Sequence, residues 1–244
     1  MQITRVVWLM VGALLWTGLV VMGIPAQADE EKAAVARAVR EYTAAWYAGD
    51  EGRLATVLHP RFIRRIITRN RLGDEFFRED SRERMLEIVR KWGGDRPTPP
   101  AERQIRLVVL DVARETASAR VDSAYYVEHI HLARDEGRWL VVDVLWENVP
   151  NPRPVVELDV SLLAACTGEY KAENGVRLVV TAGDNCLLVK GPAEPASMIF
   201  PESATVFSPH DFKARFEFVR NEQGAIVRLR LEQRCREFVL KKVR

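Results

Sequence analysis

The spacing of apolar residues changes once along this chain, and that change constrains its fold more than any other feature. Up to residue 92 they recur at intervals of three and four, as in Val35, Val39, Tyr42 and Trp46, which is one face of a helix. From Gln104 they recur at every second residue, the period of a strand with one covered face. The pattern predicts an α+β domain. A first helix is expected over residues 29–49, ended by Gly49. A short second helix, capped by Asp50, carries Leu54, Val57 and Leu58 and stops at Pro60. A third starts at Asp80, whose spacing to Glu83 suits a capping box. It buries Met85, Leu86, Val89 and Trp92 and ends at Gly93-Gly94.

Three strands then form an antiparallel meander over residues 104–112, 117–132 and 138–146. The last two read as a hairpin. A two-residue turn at Asp135-Glu136 places Leu132 opposite Trp139, Ile130 opposite Val141, Glu128 opposite Asp143 and Tyr126 opposite Leu145, all on one face. Glu128 and Asp143 are then adjacent carboxylates. Like charges so placed are unfavourable, and a shared proton would make them an acid–base pair; a wet pocket mouth or an Arg partner would account for them equally. His129 and His131 share the opposite, convex face with Leu140, Val142, Val144 and Trp146. Two histidines at i, i+2 have metal-ligand spacing but lack a third ligand, so no metal and no cofactor is expected. Val142, Val144 and Trp146 are too apolar for an uncovered face. They predict a cover, either a second copy in a homodimer or the C-terminal part of the chain.

Residues 147–154 hold three prolines, which cannot donate to a sheet ladder. A linker over residues 148–157 is expected there, with one domain at 29–147 and another at 158–244. Beyond it, turn residues recur every eight to twelve positions between short strands at 177–181, 187–190, 215–219, 227–231 and 237–241. That is the pattern of a small antiparallel barrel. Cys166, Cys186 and Cys235 match no zinc spacing; one disulfide with a free thiol and three buried thiols are both compatible with it.

The start of the chain combines Arg5, an apolar run from Val6 to Met22, and Ala26-Gln27-Ala28 ahead of Asp29-Glu30-Glu31. This predicts a signal peptide over residues 1–28 and export to the periplasm or outside the cell; an uncleaved anchor is the alternative. After cleavage no membrane association is expected. The net charge of +2 gives no basic excess for nucleic acid.

Three helices before a curved meander, with Gly49-Asp50, Leu54, Leu58-His59-Pro60 and Gly137-x-Trp139-x-Val141 in that order, resemble the nuclear-transport-factor-two-like cone fold. Over roughly residues 31–146 the pattern is most similar to its lumazine-binding family. The second half carries Leu163-x-x-Cys166-Thr167-Gly168-Glu169-Tyr170, Gly175-x-x-Leu178-x-Val180 and Phe216-x-Phe218-x-Arg220. It resembles the small β-barrel appended to serine β-lactamase-related proteins, an accessory without known catalytic residues. Cys166 and Cys235 stand where that module has an aromatic residue and a glycine. No Ser-x-x-Lys occurs, so serine hydrolase activity is not implied.

The overall expectation is a cone-shaped curved antiparallel sheet with three helices, followed by a small all-β barrel. The function expected is non-catalytic: binding a small aromatic or anionic molecule through Tyr42, Trp46, Phe62, Tyr126, Glu128, Trp139 and Asp143, or serving as an assembly module. A cone-fold isomerase, lyase or cyclase using Glu128 or Asp143 as base and Tyr126 as donor is one alternative. An accessory subunit of a cell-envelope enzyme is another. The basic run Arg61, Arg64, Arg65, Arg69 and Arg71 reads either as an anion site or as a solvated face balanced by residues 74–80.

Overall fold

The computed structural model describes residues 24–69, 75–95, 98–192 and 196–243. Residues 1–23, including most of the expected signal peptide, lie outside these. Helix α1 (Ile24–Ala48) buries Val35, Val39, Tyr42 and Trp46 as its spacing predicts. Asp50 caps α2 (Glu51–Val57), its carboxylate accepting from the Arg53 amide at 3.0 Å.

Leu58, expected in that helix, opens a strand instead, and the stretch to which no element was assigned forms two strands, β1 (Leu58–Arg69) and β2 (Glu75–Ser81). Pro60 is tolerated because the register of β1 shifts between Leu58 and Ile63, where no ladder bond is needed from it. Phe62, Arg64 and Ile66 all face inward and are buried. An arginine at the central inward position conceals the apolar alternation. Helix α3 (Arg82–Trp92) is capped by Ser81, one residue later than expected, and closed by Gly93 at φ +68°.

After a short α4 (Pro100–Arg103) come β3 (Arg106–Val112), β4 (Thr116–Asp122), β5 (Tyr126–Asp135) and β6 (Arg138–Asn148). The sheet order is β2-β1-β6-β5-β4-β3, open at both edges, and β1 runs parallel to β6. The sheet is therefore mixed, and the helices pack on its concave face.

The β5–β6 hairpin departs from the expected register in two ways. Its turn is Glu136-Gly137, with φ +48° and +77°; both positive values are those of a type I′ turn, and Gly137 adopts its own at no cost. Val142 is then an extra residue: Leu132 pairs with Val141 and His131 with Asp143. The bulge reverses the facing of everything beyond it. Val144 and Trp146, expected on the convex face, enter the concave core at 0% and 6% exposure, while Leu145 turns outward at 41%. Glu128 pairs with Trp146, not with Asp143. A convex-face contact through Val144 and Trp146 is thereby overturned; exposed apolar side chains on that face include, among the described residues, Leu145, Ile67, Phe77 and Val108.

Helix α5 (Val160–Cys166) leads into a closed antiparallel barrel: β7 (Gly168–Ala172), β8 (Arg177–Ala182), β9 (Leu187–Lys190), β10 (Ser197–Pro201), β11 (Val206–Ser208), β12 (Ala214–Arg220), β13 (Ile226–Gln233) and β14 (Arg236–Lys242). Strands β8, β9, β12, β13 and β14 answer to the expected ones; β7, β10 and β11 are short. Tyr170, Phe207, Phe218, Leu187, Ile199, Leu229 and Leu240 fill the barrel. All three cysteines are free, Cys166 and Cys186 buried and Cys235 exposed, so neither a disulfide nor a set of three buried thiols holds.

Candidate functional site

The inward rows of β1, β5 and β6 bring a charged cluster into an aromatic interior. Arg64 is only 4% exposed. Its guanidinium lies 4.0 Å above the Trp146 ring, 5.3 Å from Trp46 and 6.0 Å from Tyr126, the geometry of a desolvated cation–π stack. One terminal nitrogen approaches the Met85 sulfur at 3.5 Å. The Arg64 Nε–H and the Trp146 indole N–H are buried and have no hydrogen-bond partner among the described residues. Both are donors, so what the site lacks is an acceptor.

Glu128 supplies negative charge nearby. It is 9% exposed, and the Tyr42 hydroxyl donates to its Oε1 at 3.1 Å. Burial pushes the Glu128 carboxyl above its ordinary range; the Arg64 charge and the Tyr42 hydrogen bond pull it back without cancelling the burial. Burial and the Glu128 charge likewise hold the Tyr42 phenol well above its ordinary value, so it remains a donor. Trp46 donates its indole N–H to Asp95 Oδ2 at 2.9 Å, and Asp95 is 1% exposed.

The interior is closed from the barrel side. At the β13–β14 turn, Arg234 places Nη1 3.7 Å from Asp95 Oδ1 and its guanidinium 5.0 Å from the Tyr126 ring. The Cys235 thiol lies 3.1 Å from Glu102 Oε2 and 3.4 Å from the Tyr125 hydroxyl. Arg236 donates to the Gly94 carbonyl at 2.7 Å.

Of the expected ligand-binding residues, Tyr42, Trp46, Phe62, Tyr126, Glu128 and Trp139 all lie in the cone core. Trp139 sits at its other end, with its indole N–H on Glu31 at 3.1 Å and Arg134 stacked on its ring. Asp143 is not among them: the bulge turns it to the convex face, where it binds Arg65 at 2.5 Å and His131 at 3.2 Å. Of the basic run, Arg61 is exposed, Arg65 pairs with Glu79 and Asp143, and Arg64 enters the interior; the Arg69 side chain and Arg71 lie outside what is described. Arg64 was legible as an inward position once β1 is taken as a strand. Nothing in the sequence marks Asp95 or Arg234, which meet only through tertiary contact. Among the described residues no group of three His, Cys, Asp or Glu side chains comes together as a metal site, and no helix is long and apolar enough to cross a membrane.

Residues 30–147 match a protein family described as "Putative lumazine-binding". No curated protein matches the chain. Similar solved structures include an NTF2-like protein of unknown function from Shewanella baltica, 15% identical, covering 50% of this chain and 97% of that one at a TM-score of 0.39. Another of unknown function from Silicibacter pomeroyi is 16% identical, with coverage of 50% and 98% and a TM-score of 0.37. A ketosteroid isomerase-like protein from Erwinia carotovora atroseptica is 14% identical, with coverage of 51% and 99% and a TM-score of 0.35. The family match ends before the barrel, whose resemblance to the module of serine β-lactamase-related proteins gains no support here. Residues 30–147 are thus similar to that lumazine-binding family, and a distinct closed β-barrel follows them.

Proposed function

We propose that the cone binds a small, flat molecule presenting an anionic or acceptor-rich edge, in a protein exported after cleavage behind Ala28. The observation that carries this is the pair of buried, unpartnered donors on Arg64 and Trp146, walled by Trp46 and Tyr126. An unmet buried donor costs about 1–3 kcal/mol, and a carboxylate or heterocyclic carbonyl placed there would recover that cost for both. The rings favour a planar ligand. A pteridine such as lumazine, the ligand class in the family's description, and an aromatic carboxylate such as 2-naphthoate both meet the requirement.

Thermal shift on the mature chain tests it. Lumazine or 2-naphthoate should raise the melting temperature of the wild type and leave Arg64→Met unmoved. No stabilisation by either probe defeats the proposal. A second reading, proton transfer by Glu128 in a lyase, isomerase or cyclase, draws on the upward-shifted carboxyl beside a phenol donor. It no longer includes Asp143. Loss of turnover in Glu128→Gln with retained binding would favour it over simple binding.

A further inference from the structure

The turn joining β13 and β14 is built against local preference. Gln233 pairs with Arg236, leaving Arg234 and Cys235 as the two turn residues, at φ +51° and +56°. Asn-Gly adopts this conformation readily; Arg-Cys does so only when something else holds it. What holds it is the cone. Arg234 reaches Asp95 and Tyr126, Cys235 reaches Glu102 and Tyr125, and Arg236 reaches the Gly94 carbonyl.

These partners come from three separate cone segments: the end of α3, the short α4, and the start of β5. Directly behind them stand Trp46, bonded to the same Asp95, and Tyr126, which faces Arg64. The turn therefore caps the interior that contains the two orphan donors. Beside the turn lies a groove of about 740 Å³, lined by Arg153, Lys213, Arg215 and Glu232 together with the turn's own Arg234 and Cys235. The Arg234 side chain is 34% exposed against 1% for Asp95, so water reaches this ion pair from the arginine side and weakens it.

We propose that the barrel is the cone's lid, with the Arg234–Asp95 pair as its latch, and that molecules enter the interior when the β13–β14 turn lifts. The ligand side rests on the binding reading above; the closure itself does not. Hydrogen exchange of the tryptophan indole N–H groups, followed by NMR on the full mature chain, tests the closure without any ligand. In Arg234→Ser, exchange at Trp46 and Trp146 should accelerate up to about fivefold, the effect of losing one partly exposed ion pair, while Trp139 at the far end of the cone keeps its rate. Arg236→Gln, which loses the charged hydrogen bond to the Gly94 carbonyl, should accelerate the same two indoles and spare Trp139, and it serves if Arg234→Ser fails to fold. Unchanged exchange in the arginine variants, or acceleration equal at all three indoles, overturns the lid. Selective acceleration in a protein that binds neither lumazine nor 2-naphthoate supports the lid and overturns only the binding reading.

Discussion

Replacing Arg64 by Met removes a buried cation while keeping most of the side-chain volume, and the cost can be worked from its neighbours. Two contributions that do not depend on pH oppose each other. The stack on Trp146 at 4.0 Å is worth about 2 kcal/mol when desolvated, whereas the unmet Nε donor costs about 1–3 kcal/mol. They cancel to within their spread. What remains is Glu128, which loses its counter-charge and must take up a proton to stay buried. Protonating a carboxyl of ordinary value 4.5 at pH 7 costs about 1.4 kcal/mol per pH unit, hence about 3.4 kcal/mol at most. Glu128 already resists ionisation beside Arg64, so the observed loss falls below that ceiling.

The sign follows from linkage. The variant raises the folded-state value of Glu128 further, so the folded form holds its proton more tightly and stability relative to wild type is lost as pH rises through the wild type's own folded-state value, which already lies above 4.5. The deficit should be under about 1 kcal/mol at pH 5 and largest at pH 7 and above. Urea unfolding followed by tryptophan fluorescence measures it cleanly, because no tryptophan occurs after Trp146 and the signal reports the cone. The double variant Arg64→Met/Glu128→Gln should return to within about 1 kcal/mol of wild type and lose the pH dependence. A deficit in the single variant that does not change with pH, or a double variant as unstable as the single, would refute the reasoning.

Two further outcomes follow from the same geometry. Glu128→Gln alone should be more stable than wild type at pH 8 and equal to it at pH 4, since an upward-shifted carboxyl takes stability away only once pH exceeds its unfolded value; melting curves by circular dichroism at the two pH values decide it, and a variant less stable at pH 8 would contradict it. The bulge at Val142 is tested by a pair of truncations: Val144→Ala should cost about 2 kcal/mol and Leu145→Ala at most about 0.5 kcal/mol, an order that reverses if the strand lacks the extra residue.

Where one physical signal dominated, the sequence was readable. The α1 stripe of Val35, Val39, Tyr42 and Trp46 is buried as its spacing requires, and the long barrel strands fall between turn residues as expected. Strand β1 was hidden because its inward row reads Phe62, Arg64, Ile66: a charge at a core position imitates a solvated face, and only the aromatic cradle explains how it is tolerated. The hairpin faces were misplaced because a single bulged residue reverses side-chain direction and leaves no mark in an already apolar run from Leu140 to Val142. Aromatic site residues on α1 and β5 were legible from their position on covered faces. Asp95 and Arg234 were not, because each becomes meaningful only where the barrel's turn meets the cone.

The central claim is that an acceptor from a bound molecule satisfies the donors of Arg64 and Trp146 inside the cone. The most direct measurement is the indole N–H resonance of Trp146 in the mature protein during titration with 2-naphthoate. That proton should shift downfield, saturating at the same concentration as quenching of the cone's tryptophan fluorescence, and the shift should be absent from Arg64→Met. Saturable quenching with the Trp146 indole resonance unmoved would contradict it.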